Sequence, residues 1–315
     1  MLILVTGSSG LIGTALQKVA KEIDMNNNIT WYFSTREDGD LTSLRETELL
    51  FSKVSPTHVI HLAAKVDRSP MNCTDNSEFL HINQLINTNV LTTAYKSSSV
   101  IKCLSVLSLC MLDLSMSSIS IRDIHEGLPK RNNFGYSMSK RKLHCLGNIL
   151  TSSNLTVLKT LFTTIIPTNI YGSQNGFLSD KSGILTFVNE SILSAKAKEL
   201  PSIFFKGKGS MRIDFMFAVD LARALKRVIL YYDMPKPLFI SSTKDISFMD
   251  LCYLFADIAG FTGEIKFDGA FKEHNILIRN ETGYLELDDR RKFKGMFADF
   301  IFTPLYVGLG ISVQP

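Results

Sequence analysis

Three residues have side chains suited to moving a proton on or off an oxygen: Ser108, Tyr136 and Lys140. Tyr136 and Lys140 are four residues apart, so on a helix they share a face. An ammonium beside a phenol favours the phenolate, and a serine hydroxyl at a strand end could hold a carbonyl oxygen against it. The set predicts a centre for proton transfer during hydride transfer. Tyr-x-x-x-Lys by itself occurs by chance on many helices and more often marks a solvated helix face, so the rest of the chain decides.

The glycines at the N-terminus provide the strongest support. Gly7, Gly10 and Gly13 form G-x-x-G-x-x-G between an apolar run, Leu2–Thr6, and an amphipathic helix. Glycines permit a tight turn and close backbone approach to a pyrophosphate, and a helix N-terminus supplies free N–H groups and a favourable dipole. The placement directly after a strand predicts dinucleotide binding rather than a structural turn.

The end of the second strand indicates which dinucleotide is bound. NAD sites usually carry an acid there, whereas this chain has Arg36, which could pair with a 2′-phosphate. NADP is therefore favoured, although Glu37 next door could blunt the charge. The next predicted strand, 59–63, ends at the small residues Ala63 and Ala64, where the ribose and phosphates would pass. His61, which precedes them, is interpreted as a core residue. The predicted cofactor residues are Gly7, Ser8, Ser9, Gly10, Leu11, Ile12, Gly13, Arg36, Asp40, Leu41, Ala63 and Ala64.

Strands and helices alternate along the first half of the chain, which predicts an α/β fold with a doubly wound parallel (Rossmann) sheet. We expect an NADP-binding domain over 1–166, a returning segment near 215–242, and a smaller C-terminal α/β substrate domain over 167–315. The stretch 276–294 has no clear pattern. The predicted strands are 2–6, 29–34, 59–63, 100–108, 156–163 and 237–241. The first predicted helix follows the glycines and ends near residue 24. The other predicted helices are 44–54, 83–95, 136–150, 184–196, 219–232 and 248–259.

The composition excludes several classes of protein. The net charge of +4 over 315 residues does not indicate nucleic-acid binding. Five cysteines without C-x-x-C spacing indicate neither a zinc site nor a disulfide framework, so no metal is predicted. The apolar start runs straight into Thr6-Gly7, typical of a strand rather than a signal peptide. No apolar stretch approaches the ~20 residues that span a bilayer. We expect a soluble, cytoplasmic protein.

Longer motifs narrow the interpretation. The segments 56–64 (PTHVIHLAA), 133–137 (NFGYS) and 166–172 (IPTNIYG), with Cys110 two residues after Ser108, resemble the GDP-L-fucose synthases of the extended short-chain dehydrogenase/reductases, particularly the animal forms. The resemblance covers most of residues 1–260. It implies an NADPH-dependent enzyme that epimerises C3 and C5 of GDP-4-keto-6-deoxy-D-mannose and then reduces its C4 ketone. It also implies a homodimer formed through a helix pair.

The resemblance assigns roles to residues. Ser108 and Tyr136 would bind the C4 oxygen, with Tyr136 as the proton donor. Lys140 would hold the nicotinamide ribose and lower the pKa of the tyrosine. Cys110 would remove the C3 and C5 protons, and the oxyanion held by Ser108 and Tyr136 would ease this enolisation. On residue chemistry alone, Cys110 is better explained as a buried apolar thiol. The segment implied to line the nicotinamide comprises Pro167, Thr168, Asn169 and Ile170.

The departures from the family concentrate on the substrate side. The histidine that acts as the acid opposite the cysteine falls at Gly183, which cannot donate a proton. Glu273 would repel a diphosphate, and Asp67-Arg68 replaces paired glycines. Four residues implied to contact substrate also depart from the family pattern. Ser191 stands in place of a basic residue and Lys206 in place of a tryptophan, whereas Arg212 is offset and Asp268 matches only across a deletion.

Three functions remain open at this stage. The first is a nucleotide-sugar epimerase/reductase that makes GDP-L-fucose. The second is an NADP-binding paralogue with a regulatory or interaction role, suggested by Gly183 and Glu273. The third is a C4 reductase without epimerase activity, because loss of a general acid typically costs about 10²–10⁴ in rate.

Overall fold

The computed structural model describes residues 1–22, 28–66, 76–113, 118–129, 131–153, 160–172, 183–241, 245–269 and 277–278. The strands are β1 Leu2–Thr6, β2 Thr30–Phe33, β3 His58–His61, β4 Lys102–Val106, β5 Ser118–Ile119, β6 Leu161–Pro167, β7 Asn169–Tyr171, β8 Ser202–Phe205, β9 Arg212–Phe217, β10 Leu238–Ile240, β11 Asp245–Ser247, β12 Glu264–Phe267 and β13 Leu277–Ile278. The α-helices are α1 Leu11–Ala20, α2 Leu44–Val54, α3 Asn76–Lys96, α4 Phe134–Ser152, α5 Ile184–Ala197, α6 Ala218–Tyr231 and α7 Phe248–Ala259.

A six-stranded parallel sheet in the order β10-β6-β4-β3-β1-β2 forms the centre of the molecule. Helices α1 and α6 pack together on one face of this sheet, and α2, α3 and α4 pack on the other. Two buried apolar clusters result, one on each face, which is the burial that a doubly wound sheet requires. All six strands end at the same edge, where ligands of open α/β sheets bind.

The later part of the chain builds a third buried cluster from α5, α7 and short strands. Strands β11, β9 and β7 form one sheet, and β12 pairs in parallel with β8. Because β7 follows β6 after a single residue, this part is directly connected to the end of the central sheet. The described residues contain no helix that is long and apolar enough to cross a bilayer, and no group of three metal-binding side chains.

The predicted fold class is confirmed, and several boundaries shift. Helices α2 and α7 have the predicted limits, whereas α3 begins at Asn76 rather than 83. Its first turn is polar and carries no apolar periodicity. The Asn76 side chain is instead bonded to the Arg131 carbonyl before α4 and to the Gly135 N–H in the first turn of α4. The strand predicted over 100–108 ends at Val106, because Ser108 caps a short 3-10 helix, Leu109–Met111. The strand predicted over 156–163 is observed over 161–167, and 156–159 lie outside the described residues.

Candidate active site

Ser108, Tyr136 and Lys140 converge at the carboxyl edge of the central sheet. Ser108 follows β4, and α4 begins at Phe134, so Tyr136 lies in its first turn and Lys140 in its second. The Lys140 Nζ lies 5.6 Å from the centroid of the Tyr136 ring. The expectation that the phenol and the ammonium share one helix face is therefore met by the geometry.

Lys140 is buried, with 4% of its surface exposed, and its Nζ donates a 2.7 Å hydrogen bond to the carbonyl of Val106. Burial lowers the pKa of this ammonium to about 8, and the neighbouring Cys110 sulfur acts in the opposite direction. The lysine is thus held by the last residue of β4 while its charge is destabilised by burial. Such a group changes its protonation state easily at a working site.

Cys110 lies in the 3-10 helix that packs against α4. Its backbone N–H donates to the Ser108 Oγ over 3.4 Å. Burial raises the pKa of the Cys110 thiol, while the hydroxyls of Ser108 and Ser137 and the charge of Lys140 act against that rise. The structure therefore brings the predicted base to the predicted proton donors, in surroundings that favour the protonated thiol until a partner stabilises the thiolate.

Two side chains fix α4 against the neighbouring segments. The Asn76 Oδ1 accepts from the N–H of Gly135 over 2.9 Å, directly before Tyr136. The buried guanidinium of Arg141 donates to three carbonyls, at 2.6 Å to Met111, 2.8 Å to Gly127 and 2.9 Å to Glu126. Arg141 thereby connects the segment that carries Cys110 to the helix that carries Tyr136.

The glycine loop after β1 has the close packing that a phosphate loop requires. Gly7 has φ +71°, and a Cβ there would lie 2.6 Å from the Ala63 nitrogen. A Cβ on Gly13 would lie 2.5 Å from the Ser8 backbone. Gly10 is the N-cap of α1 and has no side chain to cap it, so the first N–H groups of the helix point to the loop. The buried Ser8 Oγ donates to the Ser34 carbonyl, which ties the loop to the end of β2.

Of the two acids that directly follow Arg36, Asp38 is engaged within the turn, whereas Glu37 is exposed. Arg36 is exposed there, as its predicted contact with a 2′-phosphate requires. The Asp38 carboxylate accepts from the Tyr32 hydroxyl at 2.6 Å and from the Thr35 N–H at 2.9 Å, and these two bonds lower its pKa. Its oxygens are therefore used within the turn that presents Arg36, which supports the prediction of NADP over NAD. Asp40 is exposed and Leu41 half-buried beyond this turn.

The predicted nicotinamide segment joins β6 to β7. Pro167 ends β6, and Thr168 is buried with an Oγ1 that has no hydrogen-bond partner among the described residues. Asn169 is exposed, and its Nδ2 donates to the Asp214 carbonyl over 3.0 Å, while Ile170 is half-buried. A buried hydroxyl without a partner costs free energy, so its presence fits a ligand that supplies the missing bond.

His61 is a buried core histidine, as expected. Its Nδ1 lies 2.8 Å from Thr6 Oγ1 and its Nε2 3.0 Å from Asn87 Oδ1. Burial lowers the pKa of His61 to about 4, so the ring is neutral near pH 7. Ala63 and Ala64 follow β3 and are half-buried, with Ala63 against Gly7.

The substrate-side residues occupy three places. Gly183 is the N-cap of α5 and places no ionisable side chain there, while Ser191 is half-buried on the same helix. Arg212 begins β9 and donates to Asp245 Oδ1 at 2.6 and 2.9 Å. The Asp268 Oδ1 accepts from the Gly207 N–H over 2.8 Å, which closes the loop that follows β8. Lys206 is exposed in that loop; Asp67, Arg68 and Glu273 lie outside the described residues.

Four further residues of the site were not found by sequence analysis. Ser137 lies beside the motif tyrosine, and only its burial against Cys110 distinguishes it. Asp214 accepts from the Ser241 hydroxyl at 2.5 Å and bonds to Asn169 through its carbonyl, so it supports the nicotinamide segment. Asn76 and Asp38 act through backbone hydrogen bonds. Of these four residues, only Asp38 has a local sequence feature that could have identified it, because it is an acid five residues after the end of β2.

The Ser108 hydroxyl and the Tyr136 phenol can together bind a carbonyl oxygen. Lys140 lies next to the phenol, and Cys110 lies next to Ser108. Such a site can donate a proton to an oxygen that receives a hydride on its carbon. It can also stabilise an enolate oxygen while the thiol sulfur exchanges a proton at an adjacent carbon. The loop 7–13 and Thr168 follow strands β1 and β6 at the same edge of the sheet.

Comparison with known proteins agrees with this geometry. The model of the NAD dependent epimerase/dehydratase family matches residues 3–238. The chain is similar to the GDP-L-fucose synthase of Dictyostelium discoideum, at 32% identity over 99% of this chain and 94% of that protein. It is 29% identical to a probable GDP-L-fucose synthase of Drosophila melanogaster over 99% of this chain and 96% of that one. A crystal structure of a Naegleria fowleri GDP-L-fucose synthetase bound to NADP superimposes with a TM-score of 0.80 at 27% identity, covering 98% and 91% of the two chains. The chain belongs to the NAD dependent epimerase/dehydratase family.

Proposed function

We propose that this protein is an NADPH-dependent enzyme that converts GDP-4-keto-6-deoxy-D-mannose to GDP-L-fucose by epimerisation at C3 and C5 and reduction at C4. The observation that carries the proposal is the convergence of Ser108, Tyr136, Lys140 and Cys110 at the carboxyl edge of the sheet. Full-length similarity to two proteins named as GDP-L-fucose synthases supports the choice of substrate.

NADP is the cofactor that the site fits. The loop 7–13 and the N-terminus of α1 would hold the pyrophosphate, Arg36 the 2′-phosphate, and Thr168 the nicotinamide end. When bound, NADPH supplies a hydride to the carbon that is reduced. The similar structure from Naegleria fowleri, which contains NADP, supports this choice.

In the reduction, Tyr136 donates its phenolic proton to the C4 oxygen, and Ser108 holds that oxygen by a hydrogen bond. Lys140 stabilises the phenolate that remains, because its ammonium lies over the same helix face. The Val106 carbonyl accepts from the lysine Nζ and so fixes its position beside the phenol.

In the epimerisation, the Cys110 sulfur removes a proton next to the C4 ketone, and Ser108 and Tyr136 stabilise the enolate oxygen. Returning a proton to the opposite face requires an acid on the other side of the sugar. Gly183 cannot supply one, so we expect this half of the reaction to be slower than the reduction.

Oxidation of NADPH by the purified protein in the presence of the keto-sugar tests the proposal. We expect turnover that Tyr136→Phe reduces by about 10²–10⁴, since the proton donor is lost. Tyr95→Phe is the matched control, because the Tyr95 hydroxyl donates to the carbonyl of Ser153, the residue after α4, away from the site. Turnover of the wild type no faster than that of Tyr136→Phe would reject the proposal.

A C4 reductase without epimerase activity is the second candidate, and the bare N-cap at Gly183 favours it. The two candidates differ in product stereochemistry, which NMR reads directly. A Gly183→His variant is expected to accelerate exchange of the C3 and C5 protons with solvent and to leave the reduction nearly unchanged. No acceleration would mean that the histidine side chain does not reach the sugar from this position.

The proposal also covers the domain boundaries, the substrate contacts, the oligomeric state and the location of the protein. Strand β10 and helix α6 return to the central sheet, which supports a cofactor domain over 1–166 with a returning segment near 215–242 and a substrate domain over 167–315. Arg212, Ser191, Lys206 and Asp268 remain proposed substrate contacts. A homodimer through α3 and α4 is supported by Leu85 and Ile149, which are 36% and 61% exposed on these helices. The cytoplasm is the proposed location.

A further inference from the structure

The hydroxyl of Ser137 is buried at the centre of the site without a formed hydrogen bond. Ser137 follows Tyr136 on α4 and has 0% of its surface exposed. Its Oγ has no partner in hydrogen-bond geometry among the described residues. Native structures seldom keep an unsatisfied buried hydroxyl, because losing its bonds to water costs stability. The hydroxyl therefore needs an explanation.

The group that Ser137 faces is the Cys110 thiol. The 3-10 helix that carries Cys110 packs against α4, and this brings the two side chains together. The Ser137 hydroxyl acts on the Cys110 thiol, but no hydrogen bond between the two side chains is formed. A thiol sulfur is a weak acceptor, whereas hydrogen bonds to an ionised acceptor are roughly twice as strong. The hydroxyl would thus gain its partner when Cys110 loses its proton.

The other groups around Cys110 are already engaged. Lys140 is the charged group that faces the sulfur from α4, and its Nζ is bonded to the Val106 carbonyl. The Ser108 Oγ accepts a hydrogen bond from the Cys110 N–H. In the proposed reaction the Ser108 hydroxyl also donates a hydrogen bond to the C4 oxygen of the substrate. Within the part of the chain that the structure describes, this leaves Ser137 as the neutral donor for the sulfur during turnover.

We propose that Ser137 is a positioning residue whose hydroxyl donates a hydrogen bond to the Cys110 thiolate and so prepares it to remove the C3 and C5 protons. The inference rests on the proposed epimerase function. In that step the C–H bond breaks, an S–H bond forms, and the electron pair moves into the enolate. Ser137 keeps its own proton throughout.

Alkylation of Cys110 by iodoacetamide across a pH series tests the inference without any substrate. Peptide-resolved mass spectrometry separates Cys110 from the exposed Cys145. We expect Ser137→Ala to move the midpoint upward by about half a pH unit or more, and Ser137→Thr to restore it because the hydroxyl returns. Thr93→Ala is the matched control, since Thr93 Oγ1 is also buried without a partner but lies on α3. It should leave the midpoint unchanged.

The test is completed by measuring two half-reactions separately, proton exchange at C3 and C5 and oxidation at C4. Ser137→Ala should slow deuterium uptake at C3 and C5 by about tenfold and leave the reverse oxidation of GDP-L-fucose by NADP unchanged. An unshifted alkylation midpoint overturns the inference, as does an equal loss in both half-reactions. Absence of deuterium uptake in the wild type would instead reject the epimerase half of the proposed function, so the two failures are distinguishable.

Discussion

Lys140 is needed in its charged form for the proposed reaction, whereas its burial disfavours that charged form. Its ammonium is buried, and the Val106 carbonyl and the face of Tyr136 compensate in part for the lost water. Burial therefore lowers its pKa to about 8. In the unfolded chain the value is near 10.5, so between these two pH values the folded state binds fewer protons than the unfolded state, and raising the pH adds stability.

The rate of reduction should follow the opposite trend. As the pH rises through about 8, Lys140 becomes neutral and no longer stabilises the phenolate of Tyr136. We expect kcat/KM for NADPH, which reports on the free enzyme, to fall above pH 8, approaching tenfold per pH unit. Lys140→Met should be slow at every pH and should lack this inflection. A wild-type profile that stays flat to pH 9.5 would contradict the role of the ammonium.

The catalytic residues could be predicted from sequence because Ser108, Tyr136 and Lys140 combine type, spacing and order. Their surroundings could not be predicted, since they depend on contacts between distant segments. Ser137 differs from Ser139 only in what it meets: the Ser139 hydroxyl donates to the Tyr136 carbonyl over 2.6 Å, whereas Ser137 faces Cys110. No local pattern separates two serines that are two residues apart on one helix.

Helix α4 is the element that sets the geometry of the site. Its first turn carries Tyr136, its second turn carries Lys140, and Asn76 holds the Gly135 N–H at its start. A Cβ on Gly135 would collide with the Asn76 carbonyl oxygen, so the glycine permits this approach of α3 to α4.

Two glycines on α4 allow a matched test of this positioning. Gly135→Ala should displace the first turn and reduce turnover by at least about tenfold, because small displacements of reacting groups are costly. Gly147→Ala meets the Phe162 Cβ at an ordinary 3.5 Å and should stabilise the protein by about 0.5–1 kcal/mol, with turnover unchanged. Steady-state rates and urea unfolding measure both effects. Equal turnover in the two variants would show that the start of α4 does not control the site.

Element boundaries were predictable where local signals agreed. Helix α2 follows the N-cap Ser43 and ends before Ser55, which adopts a left-handed conformation in front of Pro56, so 44–54 is observed as predicted. Helix α3 lacks such a signal at its start, because its first turn is stabilised by contact with the segment before α4. Tertiary contacts thus decided the boundaries that sequence analysis placed wrongly.

At the scale of the whole molecule, three buried histidines connect folding to pH. His58 and His61 lie in β3, His144 lies on α4 next to Thr164 of β6, and each is at most 5% exposed. Burial lowers the pKa of each to about 4. Between pH 6.5 and 4 the unfolded chain binds protons that the folded state does not, so stability falls as the pH is lowered.

Urea unfolding at pH 7 and pH 5 measures this effect. Each buried histidine contributes a slope of up to about 1.4 kcal/mol per pH unit. We expect His144→Gln to be less stable at pH 7, because bonds to Thr164 and Asn148 are lost, but to show a smaller loss on acidification. His81→Gln, on the exposed side of α3, is the control and should retain the wild-type slope. The same slope in His144→Gln and the wild type would contradict a neutral buried ring.

The central claim is that one site both exchanges protons next to the ketone and reduces it. A single turnover of GDP-4-keto-6-deoxy-D-mannose with NADPH in D₂O, with the product identified by NMR, tests it most directly. The account predicts GDP-L-fucose with deuterium at C3 and C5 and hydrogen from NADPH at C4. Recovery of unchanged keto-sugar, or of a C4-reduced sugar without deuterium at C3 and C5, would contradict it.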